Sequence, residues 1–323
     1  MRHPSLRQDL SMVLSVAICT YNRAPLLGRA LDSVRNQTWA GDALEILVVD
    51  NGSTDRTRDL VAAAQLEDIR IRYVVESKAG IAHARNRALH EARGEYLAFI
   101  DDDAWAEGDW LQNLIRAIES IRPTPECVVG PVSLVWEGER PDWFPTRFES
   151  LLCRYDMGSK PRFLDAGGYL LTTNSLFHRE TLLALGGLRA DLGHKRNQLI
   201  GGEDNEIFQR LIANGYRVYY QPTACVSHPV PKARQTRRYL LRRLFWDGAS
   251  QPLVEGGSTT HQQHSQRPWS EFSSDAKRSV RFALEVLRGT IQGDRMSAED
   301  GLYRLVQRAG RMRTHFIMAL GAR

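Results

Sequence analysis

Tyr96-Leu97-Ala98-Phe99-Ile100-Asp101-Asp102-Asp103 is a short apolar run that stops abruptly on three carboxylates. With Gly94 before it and charge after it, it reads as a strand buried on both faces. Three runs upstream share its form: Leu14–Ile18, Glu45–Val49 and Ile71–Val75, each rich in Val and Ile and each ending at polar or glycine-rich punctuation. Helical patterns lie between them. Leu26, Leu27, Ala30, Leu31 and Val34 share one helix face, with Pro25 suited to the first turn. Thr54-Asp55 offers cap residues for a helix through Leu60, Val61 and Ala64, and a third helix spans Ile81–Ala92 and ends before Gly94. This β-α-β-α-β-α-β alternation predicts an α/β fold, a mostly parallel sheet flanked by helices and joined by right-handed crossovers. In such sheets ligands sit at the carboxyl ends of the strands.

Downstream, a fourth helix is expected around Trp110–Ile121, stopped by Pro123 and Pro125. Residues 122–175 look irregular and are expected to form a long binding loop containing Trp136, Pro141, Trp143, Phe144 and Pro145. Glu203–Asn214 is helical again, Arg217–Tyr220 is a strand, and Ala224–His228 follows Pro222. Helices are then expected over 237–247, 275–288 and 298–309, around the polar stretch Gly256–Pro268. The reading divides the chain into an α/β domain over 12–235 and a basic, mainly helical C-terminal extension over 236–323.

The 323 residues are 42% apolar and 25% charged, enough for a large core without metal or disulfide staples. Cys19, Cys127, Cys153 and Cys225 are far apart with no zinc-ligand spacing, which fits a reducing, cytoplasmic setting. The apolar runs Met12–Cys19 and Phe316–Leu320 are too short to span a bilayer, and residues 1–11 lack a secretory signal pattern. From Lys232 to Arg323 there are 17 Lys+Arg against 8 Asp+Glu, a balance of +9, which leaves −4 for the rest. A basic tail on a slightly acidic body suits an anionic partner or, equally, a solvated arginine-rich helix face.

The strand ends narrow the chemistry. Cys19-Thr20-Tyr21-Asn22-Arg23 has none of the glycines a dinucleotide-binding turn requires, which argues against an NAD-type oxidoreductase. Asp101, Asp102 and Asp103 repel one another unless a positive partner is present, and Mg2+ or Mn2+ bridging carboxylates and phosphates would be such a partner. Acidic capping of the next turn accounts for one Asp but not for three. Gly201-Gly202-Glu203-Asp204 opens an amphipathic helix, where acids also complement the helix dipole. Combined with the triple aspartate and His228, the pair reads instead as a carboxylate beside an acceptor and a separate metal site, the division that group transfer needs.

Together, Cys19–Arg23, Val48-Val49-Asp50-Asn51-Gly52-Ser53-Thr54-Asp55, Ala84-Arg85-Asn86, Asp101–Asp103 and Gly202-Glu203-Asp204 resemble, in order and spacing, the family 2 glycosyltransferases of GT-A fold. The resemblance runs from about Leu14 to Tyr239. It implies an inverting enzyme that moves a single sugar from a nucleoside-diphosphate sugar, taken as a UDP-sugar, to a hydroxyl on a glycan, lipid-linked or small-molecule acceptor. It also implies that Thr20, Tyr21 and Asp50 hold the nucleotide base, with Arg23 among the donor-binding residues and Arg85 near base and diphosphate. Asp101 and Asp102 would reach the ribose. Asp103, with Asp101 beside it, would ligate Mn2+ or Mg2+, and His228 would complete metal or diphosphate binding. Asp204, paired with Glu203, resembles the catalytic base that takes the acceptor proton.

Thr172-Thr173-Asn174-Ser175 falls where relatives have a Gly-x-Asn turn, which places Asn174 in the donor pocket, although the glycine is missing. Trp143-Phe144-Pro145 suits either an apolar wall for a sugar or lipid, or core packing. Gln235-Thr236-Arg237-Arg238-Tyr239 is similar to the Gln-x-x-Arg-Trp signature of processive synthases, but Tyr replaces Trp and spanning helices are absent. His261 and His264 lie in a polar run that reads as a loop at the acceptor side or, less simply, a metal pair. Peripheral contact with an anionic membrane on its inner face is expected of the basic tail, and nucleic acid is not, because few aromatics interleave its arginines. Two other readings stay open: a catalytically inactive nucleotide-sugar-binding module, and a sugar-nucleotide pyrophosphorylase. The latter would want a glycine-rich basic loop after the first strand.

Overall fold

The computed structural model describes residues 14–38, 44–196, 198–257 and 268–321. The first half alternates β1 (Leu14–Thr20), α1 (Ala24–Arg35), β2 (Leu44–Asp50), α2 (Thr57–Glu67), β3 (Ile71–Val75), α3 (Ile81–Glu91) and β4 (Tyr96–Asp101). Then come β5 (Trp105–Ala106), α4 (Trp110–Ser120), β6 (Cys127–Val129), β7 (Val132–Trp136), β8 (Arg162–Phe163), β9 (Ser175–His178) and α5 (Arg179–Ala184). The chain continues through α6 (Glu203–Ala213), β10 (Val218–Tyr220), β11 (Val226–Val230), α7 (Arg237–Gly257), α8 (Pro268–Ile291) and α9 (Arg295–Gly321).

Eight strands form the main sheet in the order β3-β2-β1-β4-β9-β6-β10-β8. β3, β2, β1 and β4 are mutually parallel. β9 enters antiparallel between β4 and β6, and so makes the sheet mixed. A small sheet, β5-β11-β7, stands apart. Period-two alternation explains why β1, β2 and β4 carry apolar residues on both faces: Val16, Ile18, Ile46, Val48, Ala98 and Ile100 face the core under α1, α2 and α4. Ala17, Cys19, Leu47, Val49, Leu97 and Phe99 face the core under α3, α5 and α6. Register aligns the ends, with Thr20 opposite Asp50 and Cys19 opposite Asp101, so polar residues from three strands emerge in one row.

Residues 122–175 are not the long loop that their sequence suggests. They contain β6, β7, β8 and a 3-10 turn at Thr146–Leu152, strands of two to five residues that are too short to show a period. Phe144 is buried with Leu152, Val230, Leu240, Leu244 and Tyr303 in a third core, and Trp136 and Trp143 pack against it. Of the two uses open to Trp143 and Phe144, the structure shows core packing.

The C-terminal helices outrun their expected lengths. α7 passes through Gly248 and Pro252, beyond the predicted stop at 247. Gly248 is needed where α7 crosses α9, because a Cβ there would lie 1.9 Å from the Gln307 carbonyl oxygen. Gly310 makes the reciprocal contact, 1.9 Å from the Phe245 carbonyl oxygen. α8 docks on α9 through buried Asp275, which pairs with Arg308, Arg311 (3.4 Å) and His315 (3.1 Å). His261 and His264 lie outside the described residues.

Candidate active site

The β1 and β2 ends are tied together by side chains. Asn22 adopts a left-handed φ of 53°, and its side-chain Oδ1 accepts N–H bonds from Thr54 (2.7 Å) and Asp55 (3.3 Å). Asp50 accepts from the Ser53 N–H at 2.8 Å and from the Tyr73 hydroxyl at 2.5 Å. The turn after β1 thereby becomes a fixed rim.

That rim bounds a cavity of about 560 Å³ lined by Thr20, Tyr21, Arg23, Asp101 and Asp102 on the strand side. Arg85 from α3, Glu203 and Asp204 from α6, and Arg243 and Asp247 from α7 also line it. The helical extension is therefore a wall of the cavity. Ser250 of α7 accepts the Gly201 N–H at 2.9 Å, and Val254 packs on Gly202, whose φ of 97° admits no side chain without strain.

Three arginines neutralise the acids. Arg23 donates to Asp102 at 2.9 Å and to Asp103 at 3.0 Å. Arg234 donates to Asp103 at 3.0 Å. Buried Arg85 reaches Asp101 at 3.1 Å, Glu203 at 3.0 Å and Asp204 at 3.4 Å. The positive partners that the triple aspartate requires are thus already built into the protein. Burial pushes the Asp102 carboxyl up to about 6 against the pull of Arg23. Burial also pushes Asp103 up, but the hydrogen bond and charge of His228, with Arg23 and Arg234, outweigh it and hold Asp103 well below the carboxylate range.

At the α6 N-terminus Asp204 accepts the Thr172 hydroxyl at 2.6 Å, and Thr173 donates to Asp101. Burial and then the neighbouring Asp204 charge raise Glu203 to about 7, with Arg85 opposing. Burial likewise raises Asp204, opposed by Arg85 and by the Thr172 bond. Asp204 remains on the cavity wall and is the more open of the two, its side chain 21% exposed against 9% for Glu203.

The donor set for a divalent ion has support beyond repulsion. Asp101, Cys153 and His228 offer ligand atoms within 4.8 Å of one another. His228 is 1% exposed and its Nδ1 has no hydrogen-bond partner, while its Nε2 lies 3.3 Å from Asp103. Two carboxylates, an imidazole and a thiol suit a small divalent cation, the oxygen donors favouring Mg2+ or Mn2+.

Of the residues expected to form the site, Thr20, Tyr21, Arg23, Arg85, Asp101, Asp102, Glu203 and Asp204 meet around one cavity. Asp50, Asp103 and His228 are buried and do not line it. Asn174 needs correction. Its amide is consumed by Trp110 Nε1 (2.8 Å) and by the Pro131 (2.9 Å) and Ala224 (2.7 Å) carbonyls, so it braces the fold and does not line the pocket. Gln235 is also structural, donating to the Val230 and Glu137 carbonyls. Sequence reasoning missed Cys153, Thr172 and Thr173 as site groups, and His194 with Arg243, whose side chains meet at 2.8 Å. Thr172 and Thr173 stood beside the motif that singled out Asn174. Cys153 carried no signal, because it lies in the stretch that reads as a loop.

A model described as Glycosyl transferase family 2 matches residues 15–183. Succinoglycan biosynthesis protein ExoM of Rhizobium meliloti is 32% identical over 240 residues, covering 73% of this chain and 72% of that protein. Glucosyl-dolichyl phosphate glucuronosyltransferase of Haloferax volcanii is 28% identical over 250 residues, covering 76% and 78%. Among solved structures, the mannosyltransferase PcManGT from Pyrobaculum calidifontis, in complex with GDP-Man and Mn2+, superposes with a TM-score of 0.59 at 22% identity, covering 94% and 88%. S. aureus TarS in complex with UDP-GlcNAc gives 0.54 at 17%, covering 94% and 92%. At these identities the structural likeness speaks for the fold.

Proposed function

The chain belongs to glycosyl transferase family 2 and has the GT-A fold, and from that premise we propose that it moves one sugar from a nucleoside-diphosphate sugar, a UDP-sugar, to an acceptor hydroxyl with inversion. The observation that carries the reading is one cavity holding both a partly exposed carboxylate, Asp204, and the polar ends of β1 and β4. Thr20, Tyr21 and Asp102 suit nucleoside recognition, through an aromatic face and ribose acceptors. Asp50, already fixed by Ser53 and Tyr73, positions the rim.

Asp204 takes the acceptor proton as the hydroxyl oxygen attacks the anomeric carbon. The bond from that carbon to the diphosphate breaks with its electron pair leaving on the diphosphate, and the single in-line displacement inverts the centre. Thr172 and Arg85 hold Asp204 in place and favour its ionised form. Arg23 and Arg234 supply fixed positive charge beside the departing phosphates. Asp101, Asp103 and His228, with Cys153 adjoining, would hold a divalent cation, which when bound supplies Lewis-acid stabilisation of diphosphate charge. A glycan, lipid-linked or small-molecule acceptor fits the reading, as glucosyl-dolichyl phosphate glucuronosyltransferase does by its name. Free thiols at the four cysteines accord with a cytoplasmic setting.

Asp204→Asn is the decisive variant. Turnover should fall about 10²–10⁴-fold, while thermal stabilisation by UDP-, GDP- or CMP-sugars with and without Mn2+ keeps its wild-type pattern. Wild-type protein without transfer activity and stabilised by a nucleotide sugar would mark an inactive binding module. The turn after β1 lacks the glycine-rich basic loop of a pyrophosphorylase.

A further inference from the structure

α8 presents an outer face that the described protein leaves uncovered. Trp269, Val280, Leu284, Leu287 and Ile291 are between 43 and 75% exposed. At 100° per residue they fall within an arc of about 60°, over a length of about 33 Å. At its start the stripe meets exposed Phe316 of α9, 5.9 Å from Trp269 between ring centroids, with Ile317 and Leu320 beyond. An apolar strip on one helix face, broken only at Ser273 between Trp269 and Val280, is more than the scattered exposed leucines of an ordinary surface.

The charges along the strip have one sign. Lys277, Arg278, Arg281 and Arg288 are the exposed charged residues of α8, whereas Asp275 is buried and Glu271 and Glu285 are half-buried. Glu285 is engaged by Arg281 at 3.2 Å, and Asp275 by α9. Lys277, Arg281 and Arg288 project along one edge of the apolar arc by their helical spacing. The whole segment from Lys232 onward carries the chain's positive excess.

We propose that this face of α8 docks on an anionic lipid surface, with the helix lying in the interface plane, its apolar stripe among the acyl chains and its basic edge on the head groups. Apolar residues including Trp on one side and Lys/Arg beside them make the pattern of an interfacial helix. Charge complementarity selects lipid over a second copy, which would bring the same cationic edge with no exposed acid of α8 to neutralise it. Among the described helices none is long and apolar enough to cross a membrane, so contact through α8 would be peripheral. α8 adjoins α9, and α9 adjoins α7, which lines the cavity, so the docked face belongs to the same helical stack as the cavity wall. The inference does not rest on the donor chemistry.

The test uses the full chain and co-sedimentation with vesicles of phosphatidylcholine alone or with one-third phosphatidylglycerol. Wild type should pellet with the anionic vesicles only, and less at raised salt. Leu284→Glu with Leu287→Glu, and separately Lys277→Glu with Arg288→Glu, should each weaken binding at least about tenfold, with an unchanged melting temperature. The charge variant changes only surface residues and keeps the test valid should the leucine variant misfold. Equal binding to both vesicle types, no binding, or binding that survives both variants overturns the proposal. So does light scattering that finds a wild-type dimer split by the leucine changes, because a second copy then covers the face.

Discussion

Arg85 reaches three carboxylates at once from a position only 5% exposed, and no other cation in the site touches Asp204 among the described residues. Arg85→Ala should cost about 3–5 kcal/mol in urea denaturation, because it strands buried charge. Arg85→Lys should recover only part, since a single ammonium does not span the fork. Glu203 shows the opposite economy. Its folded value of about 7 lies above the ordinary 4.5, so its stabilising contribution is complete below pH 4.5 and is lost as pH rises through 7. In the ligand-free protein, Glu203→Gln should flatten the fall in stability between pH 5 and 7.5. An unchanged slope would mean that another group titrates there. That Asp101, Asp204 and Arg85 would meet could be suspected from motif order, but the threonines that hold Asp204 and Asp101 could not. Hydroxyl donation at 2.6 Å depends on a turn between distant strands, and the local sequence around Thr172 does not encode its distance to α6.

At the scale of elements, the crossing of α7 and α9 is set by backbone proximity. Gly310→Ala would drive a Cβ against the Phe245 carbonyl, and should cost about 1–3 kcal/mol by forcing the helices apart. Gly108→Ala, where a Cβ meets nothing within 4 Å, is the matched control and should melt within experimental error of wild type. β1, β2 and β4 were legible because each is a mostly apolar run buried on both faces, and β3 because Val and Ile dominate an edge strand that is only partly buried. β6, β8 and β9 were not. They have three, two and four residues, and their pairing comes from strands far away in sequence. The C-terminal end of α7 differs from its expected position for a related reason, whereas its start at Arg237 agrees. Gly248 and Pro252 disfavour a helix locally, and tertiary packing against α9 overrides that preference.

For the whole molecule, the basic extension helps to wall the candidate site. α7 supplies Arg243, Asp247 and Ser250 to the cavity, and Leu240, Leu244 and Tyr303 close the third core over Phe144 and Val230. Deleting residues 237–323 should therefore expose that core and open the cavity. The truncated chain is expected to bind a hydrophobic dye, aggregate and lose nucleotide-sugar stabilisation. A soluble, donor-binding fragment would show the extension to be dispensable for the fold.

The amino-acid order alone determined the alternating strands and helices, the row of carboxylates at the strand ends and the motif set that marks family 2. Each of these follows from local periodicity or from residues near one another along the chain. Only the tertiary structure decided that three arginines balance the acids, that Asn174 braces Trp110 away from the cavity, that Cys153 joins His228 and Asp101, and that α8 turns an apolar stripe outward. Those outcomes depend on which distant surfaces meet, and burial and charge are properties of that meeting.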